Sequence, residues 1–261
     1  MIKLTRPPKP VELTEEVQEK LTKKFIETKD RVYAVDYIKD ALMIMSHDKC
    51  AYCECDLTKE SNYMEVEHYH DKHDYPEEVV KWENLLPSCK HCNGNKSTHD
   101  TYDEPIIDPS KDNPKEHLYF KSYAIRGKDD LGKITVEVID LNDKLRLVRV
   151  RFDIGEEIRK KLDTLLTLTK GYVNRENNLA QRGLTRRKNK IVGTLRDLLQ
   201  EAQPTSDYSA TAATVLLNDE DYQQIKTYFQ QANIWSEELI ELEQKAQECA
   251  LEMRGSLNTE V

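Results

Sequence analysis

The sequence predicts a helix-rich α+β protein, in which a zinc-braced strand–strand–helix module is embedded between N-terminal helices and a C-terminal helical region. Three observations lead there. Five of the six cysteines lie between positions 50 and 92, four of them in two Cys-x2-Cys pairs. Apolar residues recur at helical spacing before residue 46 and again from residue 153 onward. Polar and apolar residues alternate in YMEVE at 63–67 and in GKITVEVIDLN at 132–142, the period of a strand. The chain is divided accordingly into a Pro-rich arm with helices (1–46), the cysteine and histidine module (47–110), a small β extension (111–152) and a C-terminal helical region (153–261).

Taken in order, Pro7, Pro8 and Pro10 keep the first dozen residues out of a helix and favour an extended arm, flexible or docked on a partner. Thr14, followed by Glu15 and Glu16, opens a helix to about residue 29 with Val17, Leu21 and Phe25 on one face. A second helix over 34–45 repeats the spacing with Tyr37, Ala41 and Met45. Beyond the β extension, Ile158, Leu162, Leu165 and Leu166 form one stripe, and Ile191, Leu195, Leu198 and Leu199 another. QPTSDYS at 203–209 is a turn, and two further helices are expected between about 210 and 255.

Composition limits the function. No apolar run approaches the roughly 20 residues of a membrane span. The opening MIKLTRPPKP has no signal-peptide core, so a cytoplasmic protein with reduced thiols is expected. The net charge of −9 argues against a nucleic-acid coat, but it is segregated. Residues 151–200 hold 12 basic and 6 acidic side chains, whereas residues 201–261 hold 3 and 12. Within the basic block, Arg182, Arg186 and Lys190 would share one helix face and could follow a phosphate backbone, although Gly183 weakens a continuous helix there. A solvated helix face is the plainer alternative.

Cys50-x2-Cys53 and Cys89-x2-Cys92 are two knuckles of the kind that hold tetrahedral zinc. Four thiolates would close the coordination sphere and leave no position for water, which makes the site structural. Cys55 is left over, or replaces Cys53 if the turn is read differently. Cys249 reads as a distant buried thiol. Between and after the knuckles the pattern is strand, strand, helix, with Glu67-His68 on the second strand and Asn93 at the helix start.

Glu67-His68, Asn84-Leu85, Cys89-x2-Cys92-Asn93 and Lys96 together resemble the HNH endonuclease motif, a ββα-metal, treble-clef-like fold often braced by a four-cysteine zinc. More widely, RPPKPVEL, KCAYCE, EHYHDK, WENLLPSCKHCN, PIIDP and NPKEHLYF resemble the HNH nuclease subunit of Septu and retron-associated anti-phage systems, over residues 5–150. The resemblance implies that His68 is the general base for an attacking water. It also implies that Glu67 and Asn93 hold a divalent cation, Mg²⁺ first among candidates, and that Asn84 fixes the loop or the imidazole. Lys96, His70 and Lys72 are positions for phosphate contact. Two departures stand out: Glu67 replaces the Asp of many such enzymes, and Asn93 replaces the final His, so metal preference is left open.

The same resemblance implies DNA as the most natural substrate and an ABC/SMC-like ATPase as partner. The chain has no GxxxxGK[ST] of its own. The acidic helices of 201–261 are expected to face that ATPase or a second copy of this chain. Two other readings remain, a free-standing restriction-type nuclease and a zinc-braced module that binds nucleic acid or a partner without cutting.

Overall fold

The computed structural model describes residues 1–59, 63–174 and 181–255, without the side chains of residues 181 and 182. The chain divides into two compact units, one formed by Met1–Leu118 and Ile125–Asp143, the other by Tyr119–Ala124 and Lys144–Val261.

The first unit begins with the Pro-rich arm, which packs on its own unit. Met1, Ile2 and Leu4 are buried, and the Met1 ammonium pairs with Glu54. The Leu4 N–H donates to the Pro109 carbonyl (2.8 Å). The Arg6 guanidinium donates to the carbonyls of Trp82 (2.7 Å) and Leu85 (2.8 Å), and Trp82 Nε1 donates to the Pro7 carbonyl (3.0 Å). Proline removed the arm's own helical hydrogen bonding, and neighbouring loops supply the partners instead. The arm is therefore not loose: its buried side packs on its own unit, while Lys3, Thr5, Pro8, Lys9 and Val11 stay exposed.

Helix α1 (Glu15–Thr28) starts where expected, with the Thr14 hydroxyl accepting from the Val17 N–H, but only Phe25 of its apolar face is fully buried. Helix α2 (Asp36–Ser46) buries Ile38, Leu42 and Met45, a face rotated by one residue from the expected one. Strand β1 (Met64–His68) pairs antiparallel with β2 (Leu85–Cys89), aligning Glu67 with Leu86 and His68 with Leu85. Glu67 and His68 thus lie on the first strand of the pair, not the second, and Asn84 immediately precedes the second. Helix α3 (Lys90–Lys96) follows β2 without a gap because the Cys89 sulfur caps it, accepting from the Cys92 N–H (3.5 Å).

The short α4 (Pro114–His117) leads to strands β3 (Leu118–Lys121) and β4 (Ala124–Gly127). Next comes α5 (Asp130–Val138), which corrects the strand expected over 132–142. Burial at Gly132, Thr135 and Ile139 has helical spacing, and the Asp129 carboxylate caps the helix by accepting from the Gly132 N–H (2.8 Å). That cap and this packing outweigh the β preference of Ile, Thr and Val. Gly132 is required there, since a Cβ would lie 2.1 Å from the His117 carbonyl.

The second unit is helical. A π-helical turn (Lys144–Val148) runs into α6 (Arg149–Val173), which packs on α7 (Gln181–Glu201), α8 (Ser209–Asn218) and α9 (Glu220–Gln231). Both expected stripes are buried, Ile158, Leu162, Leu165 and Leu166 on α6 and Ile191, Leu195, Leu198 and Leu199 on α7. Helix α7 continues through Gly183. Helix α8 is buried from Ser209 to Leu216, as befits a central helix without a polar face. Three helices rather than two close the chain, because Asp219 ends α8 and caps α9 through the Asp221 N–H. They finish with α10 (Glu237–Cys249) and β5 (Glu252–Met253), which pairs parallel with β3 through Tyr119 and Phe120. Cys249 is buried, as expected. No described helix is long and apolar enough to cross a membrane.

Candidate metal and catalytic site

Cys50, Cys53, Cys89 and Cys92 are all buried, with their sulfurs within 4.8 Å of one another. The Cys53 and Cys89 sulfurs are 3.7 Å apart. A tetrahedron of thiolates around zinc has edges of roughly 3.8 Å, given Zn–S bonds of about 2.3 Å. Donor type, number and spacing therefore fit a tetrahedral metal ion such as zinc. The first knuckle is a turn stapled to the sheet, with the Ala51 N–H donating to the Pro87 carbonyl (2.9 Å) and the Cys50 N–H to that of Cys55 (2.9 Å). Cys55 is buried beside the quartet but outside it.

Beyond the knuckles, β1 and α3 bring several expected residues together. Glu67 is buried, and the Lys96 ammonium lies 2.8 Å from its Oε1. Lys96 also donates to the His68 carbonyl (2.8 Å). Placed by sequence as a phosphate contact, Lys96 is only 2% exposed and holds strand and helix together. Burial pushes the Glu67 carboxyl up to about 7, with Lys96 opposing the shift. Glu65, two residues earlier on the same strand face, accepts from the Asn93 amide (2.6 Å). Asn93 is the fourth residue of α3. Glu65 and Glu67 share a strand face and Glu65 holds Asn93; carboxylate and amide oxygens are the donor type a hard divalent cation takes. Sequence reasoning missed Glu65, although its i, i+2 relation to Glu67 was visible.

His68 points from the other strand face. Its ring is buried, edge-on to Tyr33 with centroids 4.5 Å apart. Nε2 donates to the Val79 carbonyl (2.9 Å), and Nδ1 has no hydrogen-bond partner among the described residues. Burial lowers the imidazole to about 3, so the ring is neutral near pH 7 with its lone pair on Nδ1. Lys72 sits over the other partner of that stack, 5.7 Å from the Tyr33 centroid.

Asn84 grips the backbone beyond His68. Its Oδ1 accepts from the His70 N–H (2.7 Å), its Nδ2 donates to the His70 carbonyl (3.0 Å), and its own carbonyl accepts from the Tyr69 N–H (2.8 Å). Asn84 therefore fixes the loop, while Val79 fixes the imidazole. His70 is turned into an aromatic group with Tyr75 and Tyr102. His91 joins Asp140 and Asp143 in a second, half-buried group of metal-type donors within 4.8 Å. In the second unit, Arg186 and Lys190 are exposed on α7. The Arg182 side chain lies outside the described residues.

No family model and no solved structure matches the chain. Two characterised proteins do. The chain is 25% identical to the Septu protein PtuB of Bacillus mycoides strain KBAB4, over 70% of this chain and 74% of that one. It is 45% identical to the Septu protein PtuB of Bacillus thuringiensis, over 91% of this chain and 90% of that one. Identity of that degree over nearly the full length of both proteins places the chain in the Septu PtuB family.

Proposed function

We propose that this protein is a metal-dependent endonuclease of the HNH type that hydrolyses phosphodiester bonds in nucleic acid, DNA foremost. In this reading it is the effector of an anti-phage defence complex with an ABC/SMC-like ATPase. The observation that carries the nuclease reading is His68: a neutral imidazole with one nitrogen anchored on a backbone carbonyl and the other without a partner among the described residues, one position after Glu67 on β1 and on the opposite strand face.

Water is a poor nucleophile until a base removes its proton as it attacks phosphorus. His68 Nδ1 has the free lone pair to do so, and the Nε2 bond to Val79 holds the tautomer and ring plane. Nδ1 is covered by its neighbours, so in this reading the side chains around the Tyr33–His68 pair have to part before water can reach it. Asn84 keeps the chain after the base from shifting. Glu67, Asn93 and Glu65 would hold the divalent cation. When bound, that ion supplies Lewis-acid polarisation of the phosphate and neutralises charge on the leaving oxygen. Zinc in the four-cysteine site would be structural, fixing the end of β2 and the start of α3.

Partnership with an ATPase rests on the Septu resemblance and on the absence of a nucleotide-binding loop in this chain. Glu237, Glu238 and Glu241 on α10 are exposed and carry no base-binding chemistry, which suits a protein-facing surface. A second reading is a zinc-braced module that binds without cutting. It is favoured by one observation, that Lys96 occupies Glu67 and Glu65 occupies Asn93. Purified protein, with and without the ATPase, is to be incubated with plasmid, single strands and tRNA in Mg²⁺. Cutting that disappears in His68→Ala supports the nuclease. Binding without cutting under every condition supports the module.

A further inference from the structure

His70 leaves β1 two residues after His68, and its ring is built into a small aromatic platform. Tyr102 lies parallel to it with centroids 3.7 Å apart and planes 7° from parallel. Tyr75 stands edge-on to both, 6.2 Å from His70 and 4.7 Å from Tyr102. Each ring is tethered by a hydrogen bond. His70 Nδ1 is 2.8 Å from the Thr101 hydroxyl, Tyr75 donates to Asp100 (2.9 Å), and Tyr102 donates to Glu78 (3.1 Å). Asn84 clamps the His70 N–H and carbonyl, which ties the stack to the strand that carries His68.

Folding alone does not call for this arrangement. A stack that served only the core would be covered, yet Tyr102 is 53% exposed. The outcome is a flat aromatic surface, held rigid from below and open above, one short loop from the imidazole. A cation lies at the edge of this surface: the Lys81 ammonium donates to Glu78 Oε1 (2.7 Å), the same oxygen that the Tyr102 hydroxyl donates to. An oriented aromatic face with a nearby cation is the recognition chemistry of an unpaired nucleobase and its phosphate, and such stacking tolerates any base sequence.

The geometry points to Tyr102, backed by His70 and Tyr75, as a stacking platform for one unpaired base of the strand that enters the site, so that single-stranded or locally opened nucleic acid is the preferred substrate. This rests on the nuclease reading for the identity of the site, but its test needs no cleavage. Short single strands of DNA and of RNA, each carrying one 2-aminopurine, and the matching duplex are titrated in EDTA-free buffer with Ca²⁺ against wild type, Tyr102→Ala and Tyr102→Phe. Zinc content and melting temperature are recorded for each.

The expected result is quenching of 2-aminopurine by wild type and Tyr102→Phe. Tyr102→Ala should lose that quenching and bind single strands about tenfold more weakly, with duplex affinity unchanged. The arm that responds more strongly, DNA or RNA, identifies the source of the base. Equal single-strand affinity in Tyr102→Ala, equal losses on single strand and duplex, or no binding of single strands by wild type would each overturn the platform. A lowered melting temperature with unchanged binding would show that the stack is only a clamp. Failure of the nuclease reading shows separately, as cutting that survives His68→Ala.

Discussion

The two units of this protein are stabilised by different physics. The first holds all seven histidines and five of the six cysteines, has no helix longer than 14 residues, and buries Lys49, Glu54, Glu67, His68, Asp71 and Lys96. The second has no histidine, is built on a 25-residue helix, and fills its core from two leucine-rich stripes. A stripe of apolar residues sets its own register by burial, and many substitutions of similar volume preserve it. Buried charges and thiolates have no such latitude, because each is costly unless its partner is in place. The second unit also buries charge, in Arg151 and in the Glu243 that accepts from Tyr222 and Lys226. These sit in a core filled mainly by the apolar stripes, whereas in the first unit buried charge and thiols gather around β1, β2 and α3.

The largest effect expected from this difference is metal removal. Chelation by a strong zinc ligand, or Cys89→Ser, should unfold the first unit while far-UV circular dichroism retains most of the helical signal of the second. Structural zinc contributes about 10 kcal/mol or more in small domains, which the short helices of the first unit cannot replace. Loss of helix in parallel in both units would contradict the contrast.

Next, on the nuclease reading, is His68→Ala, for which cleavage should fall by several powers of ten with the metal content of the cysteine site unchanged from wild type. A substitution in the other core, Leu165→Ala, should behave inversely. It should cost about 2–5 kcal/mol of stability, read as a lower melting temperature, and leave zinc content unchanged.

A pH titration sharpens the comparison further. Burial raises the Glu67 carboxyl to about 7 in the folded protein, above its ordinary 4.5. A raised carboxyl binds its proton better in the native state, so its contribution to stability is full at low pH and is lost as pH rises through about 7. A divalent cation takes only the carboxylate, so apparent Mg²⁺ affinity, measured calorimetrically, should rise with pH to about 7 and then level off. Glu67→Gln should bind weakly at every pH. The smallest effect belongs to the half-exposed pair of Lys161 and Glu201 (2.9 Å) in the second unit, where Lys161→Ala should cost less than about 1 kcal/mol.

How much was legible follows the same division. The stripes of α6 and α7 could be read residue by residue, since helical period and burial coincide there. The cysteine quartet was legible because Cys-x2-Cys is a local geometric requirement. The strand expected at 132–142 was misread because Ile, Thr and Val favour β structure by themselves, whereas the Asp129 cap and the Gly132–His117 approach are tertiary facts. The arm was misjudged for a similar reason. Its partners are the carbonyls of Trp82, Leu85 and Pro109, which no spacing in residues 1–13 could reveal. At the site, the placement of Glu67 and His68 on opposite strand faces follows from alternation, but the pairing of Glu65 with Asn93 depends on how α3 lies on β1.

Cys89 has three duties at once: it ends β2, its sulfur caps α3, and it is one of the four metal-type donors. During synthesis Glu67 and His68 leave the ribosome well before Cys89 and Cys92. The helix carrying Asn93 and Lys96 gains its cap only once Cys89 and Cys92 have emerged. On the nuclease reading, the reaction would therefore wait for the second knuckle and for the metal that the four cysteines could hold.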